Sequence, residues 1–88
     1  MFYTYILFSK KINKYYVGNT NNIEKRLIEH NRGKTTFTKT GIPWELKYFE
    51  TFQTKAEASK REYFIKSRKS RLYIESLILQ KGSEHPAW

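Results

Sequence analysis

Tyr15–Gly33 reads YYVGNTNNIEKRLIEHNRG: an aromatic strand end, a glycine, an Asn/Thr cluster, then a helix carrying Arg26 and His30 one turn apart. Asn21 followed by Glu24 fits an N-cap with a carboxylate at the third helical position. The helix is predicted to run to about Asn31, and Gly33 suits the left-handed residue that closes a helix. On the helical wheel Ile23 and Leu27 mark the buried face, His30 falls between them, and Arg26 lies just to one side. Both polar residues therefore belong at the edge of the core. No other stretch gathers phenol, guanidinium and imidazole groups so densely.

Working outward, residues 2–8 (FYTYILF) are β-branched and aromatic with both alternating faces largely apolar, the pattern of a central strand covered on both sides. Ser9 to Asn13 supplies a turn and Lys14 to Gly18 a returning strand, a hairpin that would bring Tyr5 and Tyr16 near each other. Lys34 to Ile42 is a Thr- and Lys-rich loop. Pro43 opens a third strand, Trp44 to Phe52, in which Trp44, Leu46 and Tyr48 alternate with Glu45 and Lys47. Thr54-Lys55-Ala56-Glu57 is a capping box that starts a helix to about Arg68. Ser70 caps a last helix with Ile74, Leu77 and Ile78 as its apolar stripe and Gly82 as its stop. The expected fold is α+β: a small three-stranded, mainly antiparallel sheet flanked by helices, in the order β-β-α-β-α-α. Residues 1–82 form one domain and 83–88 a short tail.

The 88 residues suit one domain, and a chain this short buries only about 60–65% of its unfolded surface. Seven tyrosines, six phenylalanines and two tryptophans enlarge a small core. With no cysteine, disulfides and thiolate metal sites are excluded. No apolar run approaches the ~18 residues of a membrane span. The first residues lack the basic start of a signal peptide, so the cytoplasm is the expected location. Seventeen Lys and Arg against eight acidic residues give a formal charge of +9, a bias towards polyanions. The most basic segment, Lys60 to Arg71, is interrupted by Glu62 and lacks the continuous apolar face of a membrane-surface helix. Nucleic acid is therefore the expected partner. Every acidic residue is a glutamate, and most are scattered, so any metal acting here is expected to be a single ion rather than a two-metal site.

Glu62 is the most informative single position, because helical spacing puts it between Ala58 and Ile65 in the stripe that should face the sheet. A carboxylate there is costly unless paired, hydrogen-bonded or bound to metal. Its plain reading is an ion pair with an arginine such as Arg26. Arg26 reads either as a surface partner of Glu29 or Glu24 or as a fork for phosphate. His30 reads as a core-edge histidine or a catalytic one. Tyr5 and Tyr16 read as packing residues, or as proton acceptors with help from a nearby cation. Gly18 reads as a strand-end turn, or as a place where phosphate approaches the backbone.

Taken together, the spacing resembles the GIY-YIG nuclease superfamily, in its stand-alone single-domain branch. Tyr3-Thr4-Tyr5 stands where the first motif falls, with only its final tyrosine matching, and Tyr16-Val17-Gly18 is a variant of the second. Arg26 follows Gly18 by eight residues, His30 one turn later, and Glu62 lies in REYFIK on the next long helix. The match covers nearly all of residues 2–80, but no asparagine follows Asn31, where many members have one after the glutamate.

The resemblance implies an endonuclease that hydrolyses DNA phosphodiester bonds, structure-directed or weakly specific. One divalent ion, Mg²⁺ or Mn²⁺, would be held by Glu62 alone among protein groups. Arg26 would hold the scissile phosphate, Tyr16 or Tyr5 would take the water's proton, and His30 would support them. Gly18, Lys34, Lys39, Lys60, Lys66, Arg68, Lys69 and Arg71 would contact DNA, or RNA in its place. The alternatives are a nucleic-acid-binding module of the same fold without catalysis, and a basic structural or partner-binding protein.

Overall fold

Strand β1 (Phe2–Ser9) lies at the centre of the sheet, between β2 (Lys14–Thr20) and β3 (Trp44–Phe52), antiparallel to both. The computed structural model describes residues 1–84. Helix α1 (Ile23–Asn31) follows β2, a 3-10 helix (Thr36–Gly41) precedes β3, and α2 (Lys55–Ser67) and α3 (Arg71–Glu84) complete the chain. This is the expected α+β fold in the order β-β-α-β-α-α.

Both faces of β1 are apolar because each meets a separate core. Ile6 packs with Val17, Tyr48, Ile65 and Leu77 beneath α2 and α3. Tyr5, Leu7 and Trp44 fill the opposite face, with Leu27 of α1 against them. Fully buried Ala58 has no bulk beyond its methyl group, and the Thr4 hydroxyl donates to its carbonyl at 2.7 Å. The predicted capping box at Thr54 forms, with Glu57 bonded back to the Thr54 N–H. Ser70 caps α3 through the Tyr73 N–H at 3.1 Å, and Ile74, Leu77 and Ile78 point inward.

Four local expectations are corrected. Strand β2 continues past Gly18 to Thr20, so the cap of α1 is Asn22, not Asn21. The Asn22 side chain accepts from the Lys25 N–H at 3.1 Å, and its own N–H donates to the Thr20 hydroxyl, which fixes the entry into the helix. The strict alternation expected of β3 is broken by a bulge: Ile6 pairs with Tyr48 but Leu7 with Leu46. Lys47 is thus the extra residue. Trp44 and Leu46 therefore face α1, while Tyr48 joins the core under α2. The loop expected at Lys34–Ile42 contains the 3-10 helix, held by the Trp44 Nε1–H donating to the Thr38 carbonyl at 2.7 Å. Gly41 lets that indole lie against the backbone, since a β-carbon there would stand 2.4 Å from the Trp44 ring. Finally, α3 runs through Gly82 to Glu84, a position where glycine costs a helix only about 1 kcal/mol. Of the expected tail, residues 85–88 lie outside the described residues.

A polar cluster ties β3 to both later helices. Arg61 grips Glu50 with two bonds of 2.9 and 3.0 Å and reaches the Tyr73 hydroxyl at 3.4 Å, and the Tyr48 hydroxyl donates to the same carboxylate. Asn31 does the corresponding work for α1, clamping the Trp44 backbone through both its amide groups at 2.6 and 3.1 Å.

Candidate active site

The pairing register sets Tyr5 opposite Gly18 and Leu7 opposite Tyr16, so both tyrosines lie on the α1 face of the sheet, with ring centroids 6.4 Å apart. Gly18 sits inside β2, not at its end, and its value is the space it leaves. A β-carbon on it would stand 2.6 Å from the Tyr5 hydroxyl oxygen. With no side chain in the way, the Tyr5 phenol lies against the edge strand.

His30 is the only buried residue of α1, and both its ring nitrogens are used. Nε2 lies 3.1 Å from the Tyr5 hydroxyl and Nδ1 2.8 Å from the Thr38 hydroxyl. Thr38 donates its own proton to the Thr35 carbonyl at 3.4 Å, and the Arg26 guanidinium, which can only donate, lies beside the Tyr5 oxygen. One assignment satisfies every donor: Nδ1–H donates to Thr38, and the Tyr5 hydroxyl donates to Nε2. Burial pushes the Tyr5 phenol up to about 12, against the opposing pull of Arg26. Burial, reinforced by the Arg26 charge, pushes His30 down to about 4. Both are therefore neutral at pH 7. Arg26 also pairs with Glu29 at 3.0 Å, and this holds the Glu29 carboxyl below its usual range.

Glu62 approaches from the other face. Along β2, Val17 and Asn19 point towards α2 while Tyr16 and Gly18 point towards α1, as alternation requires. The Asn19 amide donates to Glu62 Oε1 at 2.5 Å, and the Lys66 ammonium bonds the second oxygen. That ammonium also lies 5.9 Å from the centroid of the Tyr16 ring. Because β2 is an edge strand, the two sets meet around its rim: Tyr5, Tyr16, Arg26 and His30 on one face, Glu62 with Asn19 and Lys66 on the other. A cleft of about 370 Å³ opens beside Asn19 and Arg26. The ion pair between Glu62 and Arg26 is absent among the described residues; Asn19 and Lys66 hold Glu62 instead, and Arg26 takes Glu29 and Tyr5.

The residues expected to contact nucleic acid divide into groups. Lys66 and Lys69 flank a groove beside Tyr16. Arg68 stacks over Phe64 and Tyr73, and Arg71 is bonded to Asn13 and Glu75 and stacked over Tyr15, so these two brace the fold. Lys34 lines a depression with Arg32 on the outer side of α1, the Lys39 chain lies against Gly33, and Lys60 is exposed on α2. Sequence reasoning missed Asn19 and Thr38. Asn19 was hidden in the Asn/Thr cluster, although its two-residue offset from Val17 would have given its face once the strand was extended. Thr38 had no local signal.

Among the described residues, no group of three or more His, Cys, Asp or Glu gathers to hold a metal, and no helix is long and apolar enough to cross a membrane. The family model described as the GIY-YIG catalytic domain matches residues 1–74. A UPF0213 protein of Bacillus licheniformis is 48% identical, covering 97% of this chain and 91% of its own. A UPF0213 protein of Bacillus pumilus is 43% identical, over 80% and 76% of the two chains. The solution NMR structure of a UPF0213 protein from Bacillus halodurans is similar at a TM-score of 0.58 and 34% identity, covering 93% of this chain and 87% of that one. With strands, helices and these matches in agreement, the chain belongs to the GIY-YIG catalytic-domain family, among the small single-domain UPF0213 proteins.

Proposed function

We propose that the protein is a divalent-metal-dependent endonuclease that hydrolyses DNA phosphodiester bonds. The observation that carries this reading is the convergence, around one sheet edge, of a guanidinium, two phenols, a buried imidazole and a braced carboxylate. Arg26 holds the scissile phosphate and offsets charge developing on it. Tyr16 is half-buried and meets solvent, whereas Tyr5 is 2% exposed. Tyr16, in its ionised form, therefore takes the proton of the attacking water, and Tyr5, fixed by His30, orients Arg26. Glu62 is a hard oxygen donor braced by Asn19, and its single carboxylate fits one Mg²⁺ or Mn²⁺ completed by water and phosphate oxygens. When bound, such an ion supplies Lewis-acid stabilisation of the leaving oxygen.

The test is nicking of plasmid, branched and single-stranded DNA with and without Mg²⁺ or Mn²⁺. Glu62→Ala is expected to abolish nicking while leaving DNA affinity largely intact; equal cleavage by variant and wild type would overturn the mechanism. Arg26→Ala is expected to slow cleavage by about 100-fold or more, and a near-normal rate would reassign it to structure. One observation favours a second reading, a binding module without catalysis: the Lys66 ammonium already neutralises Glu62. On that reading DNA is bound, with affinity falling steeply in salt, and no metal-dependent breakage occurs.

A further inference from the structure

Phe37 is 85% exposed, although burying a phenylalanine ordinarily stabilises a protein by about 1.5–3 kcal/mol. Its orientation is set by its neighbour. Thr38 is buried against the ring of His30, and its carbonyl accepts from Trp44, so the 3-10 helix must turn Phe37 outward. There Phe37 walls a groove of about 570 Å³ whose floor is Tyr15, Tyr16 and Ile65, with Lys66 and Lys69 along its rim. The groove begins at Tyr16, one of the two tyrosines of the candidate active site.

We propose that this groove binds one unpaired nucleobase, stacked on Phe37, with the adjoining phosphates on Lys66 and Lys69. The inference rests on nucleic acid being the partner of the candidate active site and adds the state of the nucleotide beside it. An apolar groove alone would admit a protein side chain. Aromatic walls, two lysines at the rim, a charge of +9 and continuity with Tyr16 together select a flat π-faced group linked to anions. A paired base presents only its edge to a protein and has no free face to stack. The base must therefore come from a single strand or from a nucleotide turned out of a duplex.

Binding of the full chain is measured in EDTA, so that cleavage plays no part, to three labelled oligodeoxynucleotides: a single strand, a fully paired duplex, and a duplex with one extrahelical base. Phe37→Ser is expected to weaken binding of the single strand, the extrahelical duplex or both by roughly 10-fold or more, leaving the paired duplex unchanged. Which of the two responds identifies the source of the base. Phe37→Trp is expected to retain wild-type affinity. Lys69→Gln is expected to weaken all three ligands together. Equal affinities of Phe37→Ser and wild type would overturn the proposal, as would an equal loss on all three ligands or no binding of unpaired DNA by the wild type. A change of oligomeric state in Phe37→Ser would also overturn it, by making the groove a contact between copies. Cleavage by the wild type is assayed separately with Mg²⁺, so an inactive protein that still distinguishes the three ligands through Phe37 would sink the nuclease reading alone.

Discussion

The β-carbon that Gly18 lacks would stand 2.6 Å from the Tyr5 hydroxyl oxygen and 2.8 Å from Tyr5 Cζ, closer than real side chains pack. The glycine of the second motif and the tyrosine of the first are thus one device, a missing side chain on one strand that seats a phenol from the next.

Gly18→Ala should therefore lower stability by about 1–3 kcal/mol through overpacking and move Tyr5 away from His30. In a Tyr5→Ala background the same substitution should cost much less. A double-mutant cycle by urea denaturation measures the difference, expected to be on the order of 1 kcal/mol or more. Strictly additive costs would dissociate the two residues.

Acid should destabilise the fold through His30. Its folded value of about 4 lies below the ordinary 6.5, so between those limits the unfolded chain binds a proton that the native state refuses. Stability is therefore full above about pH 6.5 and is lost as pH falls towards 4, by on the order of 2–3 kcal/mol. Glu29 and Glu45, both held below the usual carboxylate range, add losses of the same sign at more acid pH. Thermal melts between pH 7.5 and 4.5 should show this slope. His30→Gln should flatten it, and an unchanged slope would assign the effect elsewhere.

Asn19→Ala should reduce metal-dependent cleavage by roughly 10–100-fold, the usual cost of removing a group that orients a ligand. Its effect on stability should be small, because Asn19 is partly exposed. Weakened Mn²⁺ binding with unchanged DNA binding would mark it as the residue that positions Glu62. Wild-type cleavage by this variant would leave it a surface contact.

The elements themselves were legible because each depends on neighbours in the chain. The capping box at Thr54, the two-sided apolar pattern of residues 2–8 and the stripe Ile74, Leu77, Ile78 all formed where local spacing placed them. The wheel put His30 at the core edge and Ile23 and Leu27 on the buried face, whereas His30 is fully buried and those two only partly so. Misreadings arose where distant groups outvoted local preference. The bulge at Lys47 sends Tyr48 to Ile65, and nothing within β3 announces it.

The site divides along the same line. The sequence by itself determined the α+β order, the meeting of Tyr5 with Tyr16, the placement of Arg26 one turn before His30, and the polyanion-seeking charge, since these follow from periodicity and composition. Only the tertiary structure decided which partners those groups have. It brought Asn19 to Glu62, 43 residues away in the chain, Thr38 to His30, and Tyr5 to Gly18. Strand register and the wrapping of two helices around one sheet edge create those contacts. They are products of packing between elements, which no local pattern encodes.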